Sequence, residues 1–400
     1  MNFRHLEECI MLDTVGFTIG GIDARLPKNM SINEEPGWST GHMNSPSGKQ
    51  SFDVRYVEKH NRLRIEGSAA AYFQGHNIVA SNDLVMTVIS MLKAVKDTHE
   101  IPIPLWDAYA LALGRDIVVT RIDTPAMLRV PAGLTSGAVV NGLALAGLRC
   151  GINTALYHHE SFYFDQNSQS VSLKGYLKDV QMDQQRKKAK LPDTENADLL
   201  LELARSTVRI EPVYRQKYFN AQSRFDGSPP APADFGPSEL ARMFAGVLEK
   251  YNLRGSLRAH VNDEELQAAG IPRQHRAAVM LWQHGHDMLQ HFDGDQRALA
   301  RVRMLLKKNH SIDIGGVPPR ELEMPVRVGE ILCAENFVPV PDAIRRDPAL
   351  FHTFDVKTEW RGICDRLGIT GGIGHVFIDP YEAHADDLPD TPQMPDFGIG

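Results

Sequence analysis

Cysteine is scarce in this chain. Its four copies, Cys9, Cys150, Cys333 and Cys364, are scattered over 400 residues with no CxxC pair. That spacing argues against a zinc ribbon and a disulfide scaffold, and it fits a reducing cytoplasm. No stretch approaches the ~18 consecutive apolar residues of a membrane-spanning helix. The opening residues, MNFRHLEECIMLDTVGFTIGG, lack a charged segment followed by a continuous apolar run, so no secretory signal is expected. There is no internal repeat. Gly371-Gly372-Ile373-Gly374 is glycine-rich, but no Gly-Lys-Ser/Thr follows it, so a tight turn is a plainer reading than a phosphate loop. Positive charge is not in excess either. The net charge is −7 and the pI about 6.1, which counts against a general nucleic-acid binder. The sign is unevenly spread, however: Asp379 to Gly400 holds six acids and no Lys or Arg, and without it the remainder stands at −1. The overall charge therefore says little about any local groove.

What is present is ordinary globular material, 42% hydrophobic and 23% charged, in a chain long enough for two domains. Ser51–Val57, Arg62–Glu66 and Thr207–Val213 alternate like half-buried strands, and Ile117–Asp123 reads as a buried strand ending in polar groups. Ser161–Phe164 and Ser170–Tyr176 could pair as a hairpin across Asp165-Gln166-Asn167. Asn82–Val95 has helical apolar spacing with Ser81 or Asn82 as cap, and Asp198–Arg205 predicts a short helix. This is an α+β pattern with several antiparallel strands. Asp226–Ser238, DGSPPAPADFGPS, reads as a linker, and Glu239 to about His310 is helical throughout. The expected division is 1–225, linker 226–238, a helical domain 239–320, and a mixed segment 321–400 whose acidic tail is expected to be disordered.

The densest chemistry lies in Ser168–Lys190, SQSVSLKGYLKDVQMDQQRKKAK. It sets Tyr176 between Lys174 and Lys178, and Arg186, Lys187, Lys188 and Lys190 follow. A free phenol titrates near ~10 and is a poor nucleophile at neutral pH; a nearby ammonium and a bound metal both favour the phenolate. The basic run could hold a nucleic-acid backbone. The plainer alternatives are an amphipathic surface tyrosine and a solvated helix face.

Four segments follow one another: RIEGSAAAYFQGHNIVASNDL (Arg64–Leu84), TRIDTPAM (Thr120–Met127), SVSLKGYLKDVQMDQQ (Ser170–Gln185) and ADLLLELARSTVRIEPVYRQKYF (Ala197–Phe219). In order and spacing they resemble the replication initiation endonucleases of filamentous phages, the gene II/X family. The likeness covers roughly Ser51–Phe219, and a weaker one runs from about Trp282 to Ile314. It implies an α+β, antiparallel-sheet nuclease domain of the rolling-circle (HUH-like) initiator type, followed by a helical domain. It implies a site- and strand-specific endonuclease that nicks the replicative-form origin through a 5′-phosphotyrosine on Tyr176 and later rejoins the displaced strand. It further implies Mg²⁺ or Mn²⁺, double-stranded origin DNA and displaced single strands as partners together with host helicase and polymerase, and the host cytoplasm as location.

Lys178, two residues beyond the tyrosine, could neutralise the scissile phosphate or lower the phenol pKa. The histidine pair that the wider rolling-circle class uses for its metal is missing; the QGHN segment offers only His76, with Asn77 beside it. Asp123 and Glu211 are the candidates for further ligands. Arg121 and Arg209 precede these acids by two residues, and residues i and i+2 of a strand share a face. Each arginine could face phosphate beside a metal-bound acid, as Lys174 could, or form a structural pair with the acid; for His76 the alternative is a core histidine. His284-Gly285-His286 lies in a helical stretch, where i and i+2 diverge, and His158-His159 diverge as neighbours. A plasmid initiator or a relaxase would share the same chemistry, and a non-catalytic origin-binding regulator would lack it.

Overall fold

The structure is a computed structural model. It describes residues 3–21, 30–32, 35–39, 42–46, 50–99, 116–131, 134–157, 160–187, 197–222, 228–253, 256–257, 262–310, 312–316, 326–355 and 358. The strands are β1 (Thr14–Gly20), β2 (Met30–Ile32), β3 (Glu35–Ser39), β4 (Met43–Asn44), β5 (Ser51–Val57), β6 (Arg62–Ser68), β7 (Ile117–Asp123), β8 (Ala126–Arg129), β9 (Thr154–Tyr157), β10 (Ser161–Phe164), β11 (Val171–Tyr176), β12 (Thr207–Arg215), β13 (Ser256–Leu257), β14 (Val326–Arg327) and β15 (Phe337–Val338). All but β13 and β14 join one antiparallel sheet, ordered β2-β3-β5-β6-β1-β7-β12-β11-β10-β9, with β4 on β5, β8 on β12 and β15 on β8. The α+β, antiparallel reading of the sequence holds.

The α-helices among the described residues are α1 (Phe3–Cys9), α2 (Ala69–Gln74), α3 (Leu84–His99), α4 (Ser136–Arg149), α5 (Lys178–Lys187), α6 (Ala197–Arg205), α7 (Gln216–Ala221), α8 (Pro237–Tyr251), α9 (Asp263–Ala268), α10 (Arg273–Gln283), α11 (Met288–His291), α12 (Gln296–His310), α13 (Val328–Ile331) and α14 (Asp342–Arg345). The apolar stripe of α3, with Leu84, Val85, Val88, Ile89 and Leu92, enters the main core beside Phe17, Ile65 and Val119 of the sheet. Its cap is Asp83, whose Oδ1 accepts from the Met86 amide at 2.9 Å. Ser81 and Asn82, the expected caps, are engaged elsewhere: Ser81 Oγ accepts from the Asp83 amide, and the Asn82 amide group donates to the Glu7 carbonyl.

The expected boundary near 238 falls inside this body. Helix α8 buries Leu240, Met243, Phe244 and Val247 in the main core, and the Tyr251 hydroxyl donates to Asp165, at the β10–β11 turn, at 3.0 Å. From α9 onward the helices gather around a smaller cluster of their own, with Leu266, Ile271, Val279 and Leu306. The chain then returns: β15 pairs with β8, and Leu350 and Phe351 pack with Ile78 and Val79. Residues 359–400, including the acidic tail and the glycine run at 371–374, lie outside the described residues, as do His158 and His159. Among the described residues no helix is long and apolar enough to cross a membrane.

The hairpin that carries Tyr176 forms as expected, with Phe162 of β10 opposite Gly175 of β11. A Cβ on Gly175 would sit 2.2 Å from Phe162 Cε1, so the glycine lets the ring cross the strand and seat β11 on the core. Gly175→Ala should destabilise the protein by about 1–3 kcal/mol through overpacking, read from its denaturant midpoint. An unchanged midpoint would mean that the ring moves aside freely.

Candidate active site

Three strands carry the same triplet, an arginine, an isoleucine and an acid: Arg64-Ile65-Glu66 on β6, Arg121-Ile122-Asp123 on β7 and Arg209-Ile210-Glu211 on β12. The two-residue period of a strand sends each isoleucine one way and the flanking charges the other. Ile65, Ile122 and Ile210 are buried in the core. On the opposite face each arginine binds its own acid, at 2.7 Å on β6, 2.9 Å on β7 and 3.1 Å on β12. Strand β1 separates the first two triplets with Gly16, opposite both Glu66 and Arg121. A Cβ there would lie 3.1 Å from Arg121 Cβ and 3.2 Å from Glu66 Oε2. Its absence leaves the floor over which Arg121 reaches Glu66 at 2.9 Å.

The register of β11 on β12 places Lys174 opposite Glu211 and Tyr176 opposite Arg209. The Tyr176 hydroxyl donates to Glu211 Oε2 at 2.9 Å. Lys174 Nζ lies 2.7 Å from Glu211 Oε1 and 3.7 Å from Asp123 Oδ2. Three cations surround the half-buried Tyr176 ring: Lys178 at 5.6 Å, Lys174 at 5.9 Å and Arg209 at 6.0 Å from its centroid. Burial pushes the phenol well above its ordinary range, and Arg209 only partly opposes it. Burial alone would raise Glu211, but Lys174 and Arg209 override it and hold the carboxyl down at about 2. Asp123 goes the other way, up to about 6, because burial outweighs the help of Arg121 and Lys174.

Behind the tyrosine, the turn after α2 organises the remaining groups. Asn77 donates to both oxygens of Asp13, at 2.9 and 2.8 Å, and its Oδ1 accepts from Lys178 Nζ at 2.7 Å. Gln181, one turn along α5, also accepts from Lys178, at 2.6 Å. Burial, then Arg209, push the Lys178 ammonium down to about 7. Arg209 is fully enclosed. Nε donates to Glu211, one terminal nitrogen to the carbonyls of Asn77 and Ile78, and the other to Asp13 at 2.8 Å.

Of the residues that the sequence points to, Tyr176, Lys174, Lys178, Arg121, Asp123, Arg209 and Glu211 lie together in the structure. Arg209 and Lys178, read as phosphate contacts, are sealed from solvent by protein partners instead. The trio His76, Asp123 and Glu211 does not fit a divalent ion as placed. Both acids face Lys and Arg, and His76 Nδ1 faces Gln74 Nε2 and the Ile78 amide within its own turn. Burial, with Lys178, pushes His76 down to about 4. Among the described residues no group of three or more His, Cys, Asp or Glu is placed to hold a metal. Arg186 and Lys187 belong to α5, and Lys188 and Lys190 lie outside the described residues. His284 and His286 fall in an exposed turn after α10 rather than within a helix, with Gly285 between them at φ 77°.

Asp13, Glu66 and Gln181 were not singled out from the sequence. Glu66 had a signal, since it ends the same Arg-Ile-acid triplet as the two acids that were found. Gln181 stands three residues after Lys178, on one helix face. Asp13 carries no local mark; only the fold brings it to Arg209.

Residues 11–227 match the family model described as the N-terminal region of the replication-associated protein of the gene II family. The chain belongs to that family, whose members are rolling-circle replication initiators. No curated protein matches the chain. One solved structure it resembles is a rolling-circle replication initiator protein from Geobacillus stearothermophilus, at 14% identity and a TM-score of 0.30, over 64% of this chain and 90% of that one.

Arg209 leaves a clear prediction. Arg209→Ala would strand Asp13 and Glu211, both buried, without their shared cation. That should cost about 3–5 kcal/mol of stability, measured by denaturant unfolding. A loss below about 1 kcal/mol would show that the enclosure is looser than this geometry.

Proposed function

We propose that this replication initiator is a nicking and joining enzyme that uses Tyr176 as its nucleophile on origin DNA. The observation that carries the reading is the 2.9 Å hydrogen bond from the Tyr176 hydroxyl to Glu211 Oε2 inside the ring of Lys174, Lys178 and Arg209. The phenol oxygen attacks the scissile phosphorus and passes its proton to Glu211. The bond from phosphorus to the 3′ oxygen breaks, and that oxygen leaves with a proton from solvent. A 5′-phosphotyrosine keeps the energy of the diester, so a free 3′ hydroxyl can reverse the step and close the strand without ATP.

The electrostatics support an order of events. In the free protein Lys174 holds Glu211 as a weak base. Lys174 is also the most accessible cation at the tyrosine, its side chain 22% exposed while Arg209 is at 1%. An incoming phosphate would draw the Lys174 ammonium toward itself. Glu211 would then lose its nearest positive charge and accept the phenol proton more readily. Arg209 and Lys178 remain behind the ring as fixed positive charge for the phosphorane. The phage replicative-form origin is the substrate that the segment order supports; a plasmid initiator or relaxase would run the same chemistry on another origin.

Tyr176→Phe should abolish both relaxation of supercoiled origin DNA and formation of a protein–DNA adduct, with origin affinity held within about threefold, since only the nucleophilic oxygen is lost. Wild-type nicking in that variant would remove Tyr176 from the chemistry. A wild-type protein that binds the origin and yields neither product would instead favour the regulatory reading. Glu211→Gln should slow single-turnover nicking by about 10²–10⁴-fold, the ordinary worth of a general base. A change under threefold would assign the proton to solvent.

A further inference from the structure

Helix α12 bears five Lys or Arg side chains and no acid: Arg297, Arg301, Arg303, Lys307 and Lys308. Its packing face is short of apolar area. Only Leu306 is fully buried, with Leu299 and Val302 partly buried against the small cluster. The cations divide into two sets. Arg303 and Lys307 fold back onto Asp313, Lys307 at 3.0 Å. Arg297, Arg301 and Lys308 are exposed and carry no ion pair among the described residues. With Met304, which is 61% exposed, they recur at spacings of four, three and four and so share the face opposite Leu299, Val302 and Leu306. Asp295, the acid just ahead of the helix, caps it, accepting from the amides of Arg297 and Ala298 at 2.8 and 3.0 Å.

We infer that this stripe is a second DNA-contact surface that lies on the phosphate backbone of duplex flanking the nick. Three features select the partner. The helix holds the three cations on a rigid line about 16 Å long, and duplex DNA offers a charge about every 1.7 Å of axis. The face has no aromatic residue, whereas single strands are gripped largely by stacking on aromatics. The chain carries −7 overall, so attraction to a polyanion must come from local surfaces such as this one. The stripe is mounted on the nuclease body, because the small cluster packs against Leu145 of α4, and α4 in turn packs on β10 of the tyrosine hairpin. Duplex held by α12 is therefore held relative to Tyr176.

This inference rests on the proposed action on DNA, and its test separates the two. The full chain and an Arg297→Gln/Arg301→Gln/Lys308→Gln variant are titrated with an origin duplex over a range of salt, and both are assayed for nicking of a short single-stranded origin oligonucleotide. The variant should bind duplex at least tenfold more weakly near 0.1 M salt. Its log K against log salt slope should be shallower by up to about 0.9 per lost contact. Nicking of the single strand should match the unaltered protein. An Arg303→Gln variant, whose cation is already paired, should leave the slope unchanged. The same duplex affinity and slope in the triple variant would overturn the inference, as would an equal loss of single-strand nicking, because the stripe would then serve the catalytic groove. Exposed side chains are replaced throughout, so folding, checked by thermal melting, is retained.

Discussion

The buried guanidinium of Arg209 is the interaction on which the other parts of the site depend. Enclosing a cation costs several kcal/mol of lost hydration. Here the cost is offset because its donors reach two carboxylates and two backbone carbonyls. Those acceptors come from far apart in the chain: Asp13 ahead of β1, the turn at Asn77 and Ile78, and Glu211 on β12. One planar fork therefore fixes the first strand, the turn and the central strand relative to one another. Glu211 then fixes the tyrosine hydroxyl, and Asn77 fixes Lys178. A nucleophile on a strand end needs this much outside help, because a strand by itself sets only the direction of a side chain.

The second constraint is the support of the turn. Gln74 donates to the carbonyls of His76 and Val79, and its own oxygen accepts from the His352 amide at 2.8 Å. The His352 ring stacks on Phe73 at 4.3 Å. The segment that completes this clamp lies beyond residue 227, where the family match ends. The turn at Asn77 is thus held by a part of the chain beyond the matched residues, and a fragment cut after 227 would lose that hold.

Strand periods and the hairpin were legible in the sequence, because alternation reports directly which face a side chain takes. Alternation also puts Arg121 with Asp123, and Arg209 with Glu211, on one face of each strand, but it is the register of β11 and β7 on β12 that brings these acids to Lys174 and Tyr176. Three things were not legible. Alternation marks a polar face but not whether that face is wet. On β12 both faces are buried, which turned Arg209 from a phosphate contact into an internal strut. The acids read as metal ligands were indistinguishable by spacing from acids neutralised by arginine, and only the register of β11 on β12 shows Lys174 lying between them. The Pro- and Gly-rich stretch near 230 looked like a domain boundary, yet α8 carries enough apolar surface to remain in the main core.

The most direct measurement of the central claim is the identity of the residue joined to DNA. The unaltered chain is incubated with supercoiled origin DNA, the covalent complex is digested with nuclease and protease, and the modified peptide is sequenced by mass spectrometry. The account predicts a nucleotide-phosphate adduct on Tyr176, within the peptide that spans β11. An adduct on any other residue, or strand cleavage with no adduct at all, would contradict it.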